Sequence, residues 1–123
     1  MHLMSMAVLK PHEMIDDARL LAILDEIREY GIVPIVVDVV TGTILDGHHR
    51  YRAMELLGYD TIPVFPVDYL DESIRVASWR DDRSITKEQV VRCAQCGELL
   101  PPKTTRHTIG CEIRTRVPLT TLN

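Results

Sequence analysis

The chain of 123 residues has the length of one compact domain, residues 1–123, and its 46% hydrophobic and 26% charged residues suit a single ordinary core. The formal net charge of −4 argues against general nucleic-acid binding, which needs a basic face. No apolar run reaches the roughly 20 residues that cross a bilayer, no signal peptide is evident, and three cysteines are an odd number for a secreted disulfide framework, so we expect a cytoplasmic protein with no membrane partner.

The first third of the sequence predicts a strand, a helix and a hairpin. Residues 7–9 form a short apolar run typical of a strand, and residues 16–30 carry apolar side chains at helical spacing. Residues 35–40 are rich in β-branched side chains, and a turn signal separates them from a second short strand at residues 43–45. This hairpin places Asp46 at its end.

The remainder alternates helices and strands. A helix follows Gly47, and residues 61–69 are rich in Val, Ile and Phe, but two prolines there favour an edge or irregular strand. Residues 74–79 predict another strand, residues 86–96 a helix that begins with a capping box, and residues 112–119 the last strand. Mixed strands and helices with a hairpin indicate an α+β fold, a small mixed sheet with flanking helices.

The junction between the hairpin and the next helix favours a phosphate site. The turn through Gly47 allows close backbone approach, and the helix start leaves amide N–H groups without intrahelical acceptors. Arg50 can bind phosphate oxygens, while Asp46 suits a magnesium ligand or a hydrogen-bond anchor. The candidate residues are Asp46, Gly47, His48, His49 and Arg50. The alternative is a junction whose polar side chains satisfy only local backbone groups.

A second polar run lies at residues 101–107, where two prolines precede cations, hydroxyls and an imidazole. Such a run suits anion capture, because Lys and Arg supply charge and Thr supplies directed donors. A solvated surface loop is an equally good interpretation of the composition. The candidate residues are Lys103, Thr104, Thr105, Arg106 and His107.

Two further residues depend on where the fold places them. Glu13 follows the first predicted strand, where a solvated or helix-capping role is common; facing the same crevice as Asp46, it could take a proton from a hydroxyl. Trp79, the single tryptophan, packs in the core or borders a ligand pocket.

The cysteines leave a metal site open. Cys93 and Cys96 have CxxC spacing, and His107 and Cys111 follow, which together could bind zinc. Cysteine is also commonly a small buried hydrophobic residue, and Cys93 lies inside a helical pattern.

These motifs together resemble the ParB/sulfiredoxin-like superfamily, most specifically over residues 9–69. Sulfiredoxins carry a cysteine where this chain has His48, so sulfinic-acid chemistry is not implied. Chromosome-partitioning ParB proteins add a helix-turn-helix domain, which we do not expect in this short, acidic sequence. The free L-serine kinases are similar at Glu13, at residues 46–50 and at residues 102–107.

The resemblance implies a small-molecule kinase that transfers a phosphoryl group from ADP or ATP to the hydroxyl of free L-serine. It implies Glu13 as general base, with Asp46 assisting the base or holding Mg²⁺. It implies nucleotide phosphates on Gly47, His48, His49 and Arg50, and a pocket completed by Trp79, Lys103, Thr104, Thr105, Arg106 and His107. The alternative is a non-catalytic ParB-like nucleotide-binding regulatory module, and a homodimer is left open.

Overall fold

The computed structural model describes residues 2–78, 84–102, 104–109, 113 and 115–122. Six strands and three α-helices lie in these ranges: β1 His2–Ser5, α1 Asp17–Tyr30, β2 Ile35–Asp38, β3 Ile44–Asp46, α2 His48–Leu56, β4 Thr61–Val67, β5 Arg75–Ser78, α3 Lys87–Cys96 and β6 Thr105–Thr108. Short 3₁₀ turns cover Met6–Val8 and Leu119–Thr121. None of the helices in the described ranges is long and apolar enough to span a bilayer.

The strands form a four-stranded mixed sheet and a separate two-stranded ribbon. The sheet has the order β1-β4-β2-β3, in which β2 and β4 are parallel and the other pairs antiparallel. The ribbon pairs β5 with β6 in antiparallel register. This architecture confirms the expected α+β fold with a small mixed sheet.

Side chains alternate between two cores because successive residues of a strand point to opposite faces. On β2, Ile35 and Val37 pack into the core that contains Leu20 of α1 and Met54 of α2. Val36, between them, packs into a second core with residues that include Val90 of α3. The sheet is therefore covered on both faces, and β2 is buried along its whole length.

The helix ends follow the sequence signals. Asp16 caps α1 by accepting the Ala18 amide at 2.9 Å, and Gly31 ends the helix. Thr86 and Gln89 form the capping box that begins α3. The β2–β3 hairpin also forms, although β2 ends at Asp38 and residues 39–40 of the predicted strand lie in the turn. The predictions of both helices and of the hairpin are thus confirmed.

Three predicted strand positions differ from the structure. The strand expected at residues 7–9 is wrong: β1 lies at residues 2–5, where it pairs with β4, and residues 6–8 form a 3₁₀ turn. Residues 105–108, expected in a loop, form β6 because they pair with β5. Of the strand expected at residues 112–119, the described part contains a single bridge, between Val117 and Ile32.

The sequence predicted an edge strand or an irregular strand at residues 61–69, and the structure places β4 inside the sheet, between β1 and β2. Its first half pairs with β1 and its second half with β2, and Val64 is where the two ladders overlap. Pro63 thus lies in the half that pairs with β1, and Pro66 in the half that pairs with β2. Each proline can turn its missing N–H toward the side without a ladder, so an internal strand tolerates both.

Candidate functional site

Two adjoining cavities open beside the N-terminus of α2. The larger, about 780 Å³, has apolar and polar residues in equal number along its walls. The smaller, about 490 Å³, is lined mainly by polar and charged residues, together with Ile23 and Leu45. The two cavities share four lining residues: Asp46, Arg50, Arg106 and His107.

Gly47 sets the geometry of the helix start. Its φ of +107° lies in the left-handed region, and a Cβ there would stand 2.4 Å from Cγ2 of Ile35. The first helical hydrogen bond of α2 joins the Tyr51 amide to the Gly47 carbonyl at 2.9 Å. A helix start leaves its first backbone amides without an intrahelical acceptor, and the smaller cavity lies against this end of α2.

Glu13 is held by one oxygen of its carboxylate. Oε1 accepts the amides of Thr104 at 2.6 Å and Thr105 at 2.7 Å, so the side chain joins the N-terminal loop to β6. The side chain is only 11% exposed, and it lines the smaller cavity. Burial raises the pKa of Glu13 above its ordinary value, against the opposing effect of the Thr105 and Thr104 amides.

His48 lies beside the second oxygen of Glu13. The His12 amide donates to Nε2 of His48 at 3.1 Å, so a neutral ring carries its proton on Nδ1, which is 3.7 Å from Glu13 Oε2. Burial and then the nearby His12 lower the pKa of His48 well below its usual value. The ring is therefore neutral at neutral pH and presents an N–H toward the carboxylate.

His49 and Arg50 are tied to neighbouring elements. His49 Nε2 accepts the Asp16 amide at 2.9 Å, which links the start of α2 to the start of α1. Arg50 donates to the carbonyls of Val33 at 2.9 Å and Pro34 at 3.0 Å. Burial lowers the pKa of Arg50, but a guanidinium stays charged at neutral pH.

Asp46 is the exposed acid of the site. Its side chain is 64% exposed, and Oδ2 accepts from Arg50 at 3.2 Å. Since it borders both cavities, an ion or a ligand placed between them would meet this carboxylate.

The opposite wall comes from β6, which the ribbon and two polar contacts position. Thr105 shares a 2.9 Å hydrogen bond with Nε2 of the fully buried His12. His107 Nε2 lies 2.8 Å from the Tyr69 hydroxyl. Burial raises the pKa of Tyr69, so the phenol keeps its proton and donates to His107. Burial lowers the pKa of both His12 and His107 to about 4.

The fold brings most of the sequence-derived residues to one place. Glu13 and residues 46–50 line the smaller cavity with Thr105, Arg106 and His107, and Thr104 contributes its amide to Glu13. The predictions for Trp79 and Lys103 fall outside the described residues.

The cysteines do not form a metal site in the part of the chain that the structure describes. No group of three or more His, Cys, Asp or Glu side chains in these ranges could hold a metal ion. Cys93 and Cys96 are free thiols on α3, and Cys111 lies outside the described residues.

Three residues of the site were missed in the sequence. Arg19 of α1 lines the smaller cavity, while His12 and Tyr69 support its walls. A cation in the first turn of a helix opposes the helix dipole, and this signal marks Arg19. Nothing in the sequence distinguishes Tyr69 from a core residue.

Comparison with known proteins places this site in context. Residues 1–79 match the ParB N-terminal domain family. An ATP-dependent L-serine kinase of Staphylothermus marinus is 39% identical over 77 residues, which cover 58% of this chain and 31% of that protein. A ParB-like protein of Sulfolobus acidocaldarius is 36% identical over 89 residues, 68% of this chain and 42% of its own length. The chain thus matches less than half the length of either relative.

The fold has a close counterpart among solved structures. A free serine kinase in complex with AMP superposes with a TM-score of 0.89 at 16% identity, covering 99% of this chain and 93% of that one. The likeness extends beyond residue 79, where the family match ends, and includes α3 and the ribbon.

Proposed function

Because the chain belongs to the ParB N-terminal domain family, whose match covers most of its length, we propose that it acts as a small-molecule kinase. It transfers the terminal phosphoryl group of ADP or ATP to the hydroxyl of free L-serine and forms O-phosphoserine. The Staphylothermus and AMP-bound relatives carry serine-kinase names, which supports this acceptor. The main structural support is that Glu13 and the open helix start of α2 line one cavity.

The two cavities divide the reaction into compartments. The larger cavity offers apolar walls for a nucleoside, from Val33, Pro34, Val36, Ile109 and Ile113. The phosphates lie at the shared wall, against the amides at the start of α2. The acceptor occupies the smaller cavity, because Glu13 lines that cavity and does not line the larger one. In this layout, the transferred group crosses the boundary between the two cavities, where Asp46 and Arg106 line both of them.

Glu13 serves as the general base. Its Oε1 accepts two backbone amides, while Oε2, which lies 3.7 Å from Nδ1 of His48, accepts the proton of the acceptor hydroxyl. The hydroxyl oxygen attacks the terminal phosphorus, the bond from that phosphorus to the bridging oxygen breaks, and the shortened nucleotide leaves. The raised pKa of Glu13 makes it a better proton acceptor than an ordinary carboxylate.

Asp46 fits the magnesium that such a transfer uses. Arg50 engages Oδ2 of this exposed carboxylate, and magnesium commonly binds one or two carboxylates together with substrate phosphates. Magnesium would supply neutralisation of phosphate charge. Arg50 fixes the orientation of Asp46 for that role, because carbonyls of the preceding loop hold its guanidinium.

Phosphorus NMR tests the reaction directly. We expect the protein, Mg²⁺ and either ADP or ATP to convert free L-serine into O-phosphoserine, with AMP or ADP as the second product. D-serine, L-threonine and ethanolamine in parallel samples define the acceptor. A spectrum that shows no phosphorylated acceptor with either nucleotide would contradict the kinase proposal.

Two substitutions of Glu13 separate catalysis from its structural contacts. Gln keeps a carbonyl oxygen for the Thr104 and Thr105 amides but cannot take the proton, so Glu13→Gln should lower turnover by about 10²- to 10⁴-fold and preserve stability. Glu13→Ala should lower turnover and also destabilise the fold, since two buried amides lose their acceptor. Urea denaturation and initial rates measure the two effects.

The same pair of variants addresses the alternative, a nucleotide-binding regulatory module without catalysis. Such a module would bind nucleotide and form no phosphoserine. Glu13→Gln would change neither its nucleotide binding nor its lack of turnover. Full turnover by Glu13→Gln would show that another group is the base.

A further inference from the structure

Arg19 occupies an electrostatically unfavourable position on α1. Asp16 is the N-cap, so Arg19 is the third residue of the helix, inside its first turn. The exposed amides of this turn carry partial positive charge, and acidic side chains are favoured there by about 0.3 to 1 kcal/mol. Arg28, in the last turn of the same helix, has the favourable placement. Because the helix dipole disfavours a cation at this position, Arg19 indicates a role other than stabilising the helix.

No hydrogen bond or ion pair joins Arg19 to any residue that the structure describes. Its side chain instead lines the smaller cavity together with Glu13, and it does not line the larger one. Its charge acts on Arg50, whose pKa it helps to lower. An exposed guanidinium of this kind, beside a cavity and next to another cation, suits an anion supplied by a ligand.

The other cations of the site have different positions. Arg50 is held by Val33, Pro34 and Asp46. Arg106 borders both cavities, so it can act on phosphates at the shared wall. His48 is neutral. Among the described residues, Arg19 is therefore the permanently charged cation that lines the smaller cavity, with Glu13, and does not line the larger one.

From this placement we propose that Arg19 binds the α-carboxylate of the acceptor and thereby selects amino acids over other hydroxyl compounds. Arginine matches a carboxylate with two parallel N–H···O bonds, which fix orientation as well as charge. With the carboxylate on Arg19, the side-chain hydroxyl of a short amino acid is directed to Glu13. This inference rests on the kinase proposal for its substrate, and it assigns a specificity-determining role to a residue of α1.

Comparing L-serine with L-serinamide tests the assignment, because the amide keeps the hydroxyl and loses the negative charge. Arg19→Gln should lower kcat/KM for L-serine by about 10- to 100-fold, the range expected for one charged hydrogen-bonded contact. The value for L-serinamide and the KM for the nucleotide should stay unchanged. Arg19→Lys should recover part of the loss, because it keeps the charge without the paired donors. Arg28→Gln, which removes the same charge from the same helix, is the matched control.

Each outcome decides the assignment. Equal losses for both acceptors, or a raised KM for the nucleotide, would place Arg19 on a phosphate and overturn the carboxylate role. An unchanged Arg19→Gln enzyme would overturn it as well.

Calorimetry with L-serine separates this inference from the kinase proposal. If the protein phosphorylates no acceptor, weaker L-serine binding by Arg19→Gln than by the unsubstituted protein still supports the carboxylate role. Equal binding, or no binding of L-serine to the unsubstituted protein, contradicts it.

Discussion

At the residue scale, Gly47 decides whether the proposed phosphate site can form. Its positive φ alone disfavours any side chain, and the buried Ile35 occupies the space that a Cβ would need. Ile35 in turn lies on the central strand β2, so it cannot move without disturbing the first core. The start of α2 and the sheet are thus packed against each other at Gly47.

Replacing this glycine has a matched control in the same chain. Gly58 also has a positive φ, of +84°, but no atom lies within 4 Å of a Cβ placed there. Gly58→Ala should cost about 1 to 2 kcal/mol of unfolding free energy, the strain of the left-handed conformation alone. Gly47→Ala should cost more, because it adds the clash with Ile35, and it should also weaken nucleotide binding. Urea denaturation of both variants gives the comparison, and equal losses would show that the clash is relieved without cost.

The sequence predicted individual residues where local chemistry was strong. The run from Asp46 to Arg50 was recognised from residue types and spacing, and the structure brings it beside Glu13. The sequence could not show that Arg50 reaches the Val33 and Pro34 carbonyls, since those contacts depend on how β2 and α2 pack.

At the element scale, β6 depends on its partners and has little strand character of its own. Its residues are Thr, Arg, His and Thr, a polar set that the sequence could not separate from a loop. Cross-strand pairing with β5, the Glu13 carboxylate and the buried His12 hold it in place. In contrast, α1 and α3 were predicted because their caps are local signals.

Thr105 and Thr108 allow the buried contact of β6 to be tested. Thr105→Val keeps the shape but leaves His12 Nε2 without its 2.9 Å partner, which should cost about 1 to 3 kcal/mol. Thr108→Val, at an exposed position of the same strand, should change stability by no more than about 0.5 kcal/mol. Chemical denaturation distinguishes the two. Similar effects would mean that the Thr105 hydroxyl does not secure the strand.

At the scale of the whole molecule, the buried imidazoles make stability depend on pH. His12 and His107 have a pKa of about 4 in the folded chain, because burial disfavours their charged form, against an ordinary value of 6.5. As the pH falls from 6.5 to 4, the unfolded chain takes up protons that the folded chain does not. The free energy of unfolding should therefore have its full value above pH 6.5 and decrease as the pH falls through this window. The decrease should be on the order of 3 kcal/mol for each histidine.

Glu13 acts in the opposite sense, because its raised pKa favours the folded state as the pH falls toward 4.5. One carboxyl group does not outweigh two or more histidines, so the net slope should follow the imidazoles. His107→Gln should flatten the loss of stability between pH 7 and pH 4.5, while His2→Gln, at an exposed position on β1, should not. Urea midpoints at the two pH values measure this. Equal slopes in all three proteins would exclude His107 as a source.

A homodimer stays a prediction, and sedimentation of the purified chain would test it.

The double contact of Glu13 also has a consequence for the order of biosynthesis. The two amides that hold its carboxylate belong to residues 91 and 92 positions further along the chain. During translation, the start of α2 at Gly47 is made before the segment whose amides hold Glu13. A ribosome-bound chain that stops before residue 104 therefore lacks the two amides that hold the proposed base, and on the kinase proposal phosphoryl transfer should begin only once β6 has formed.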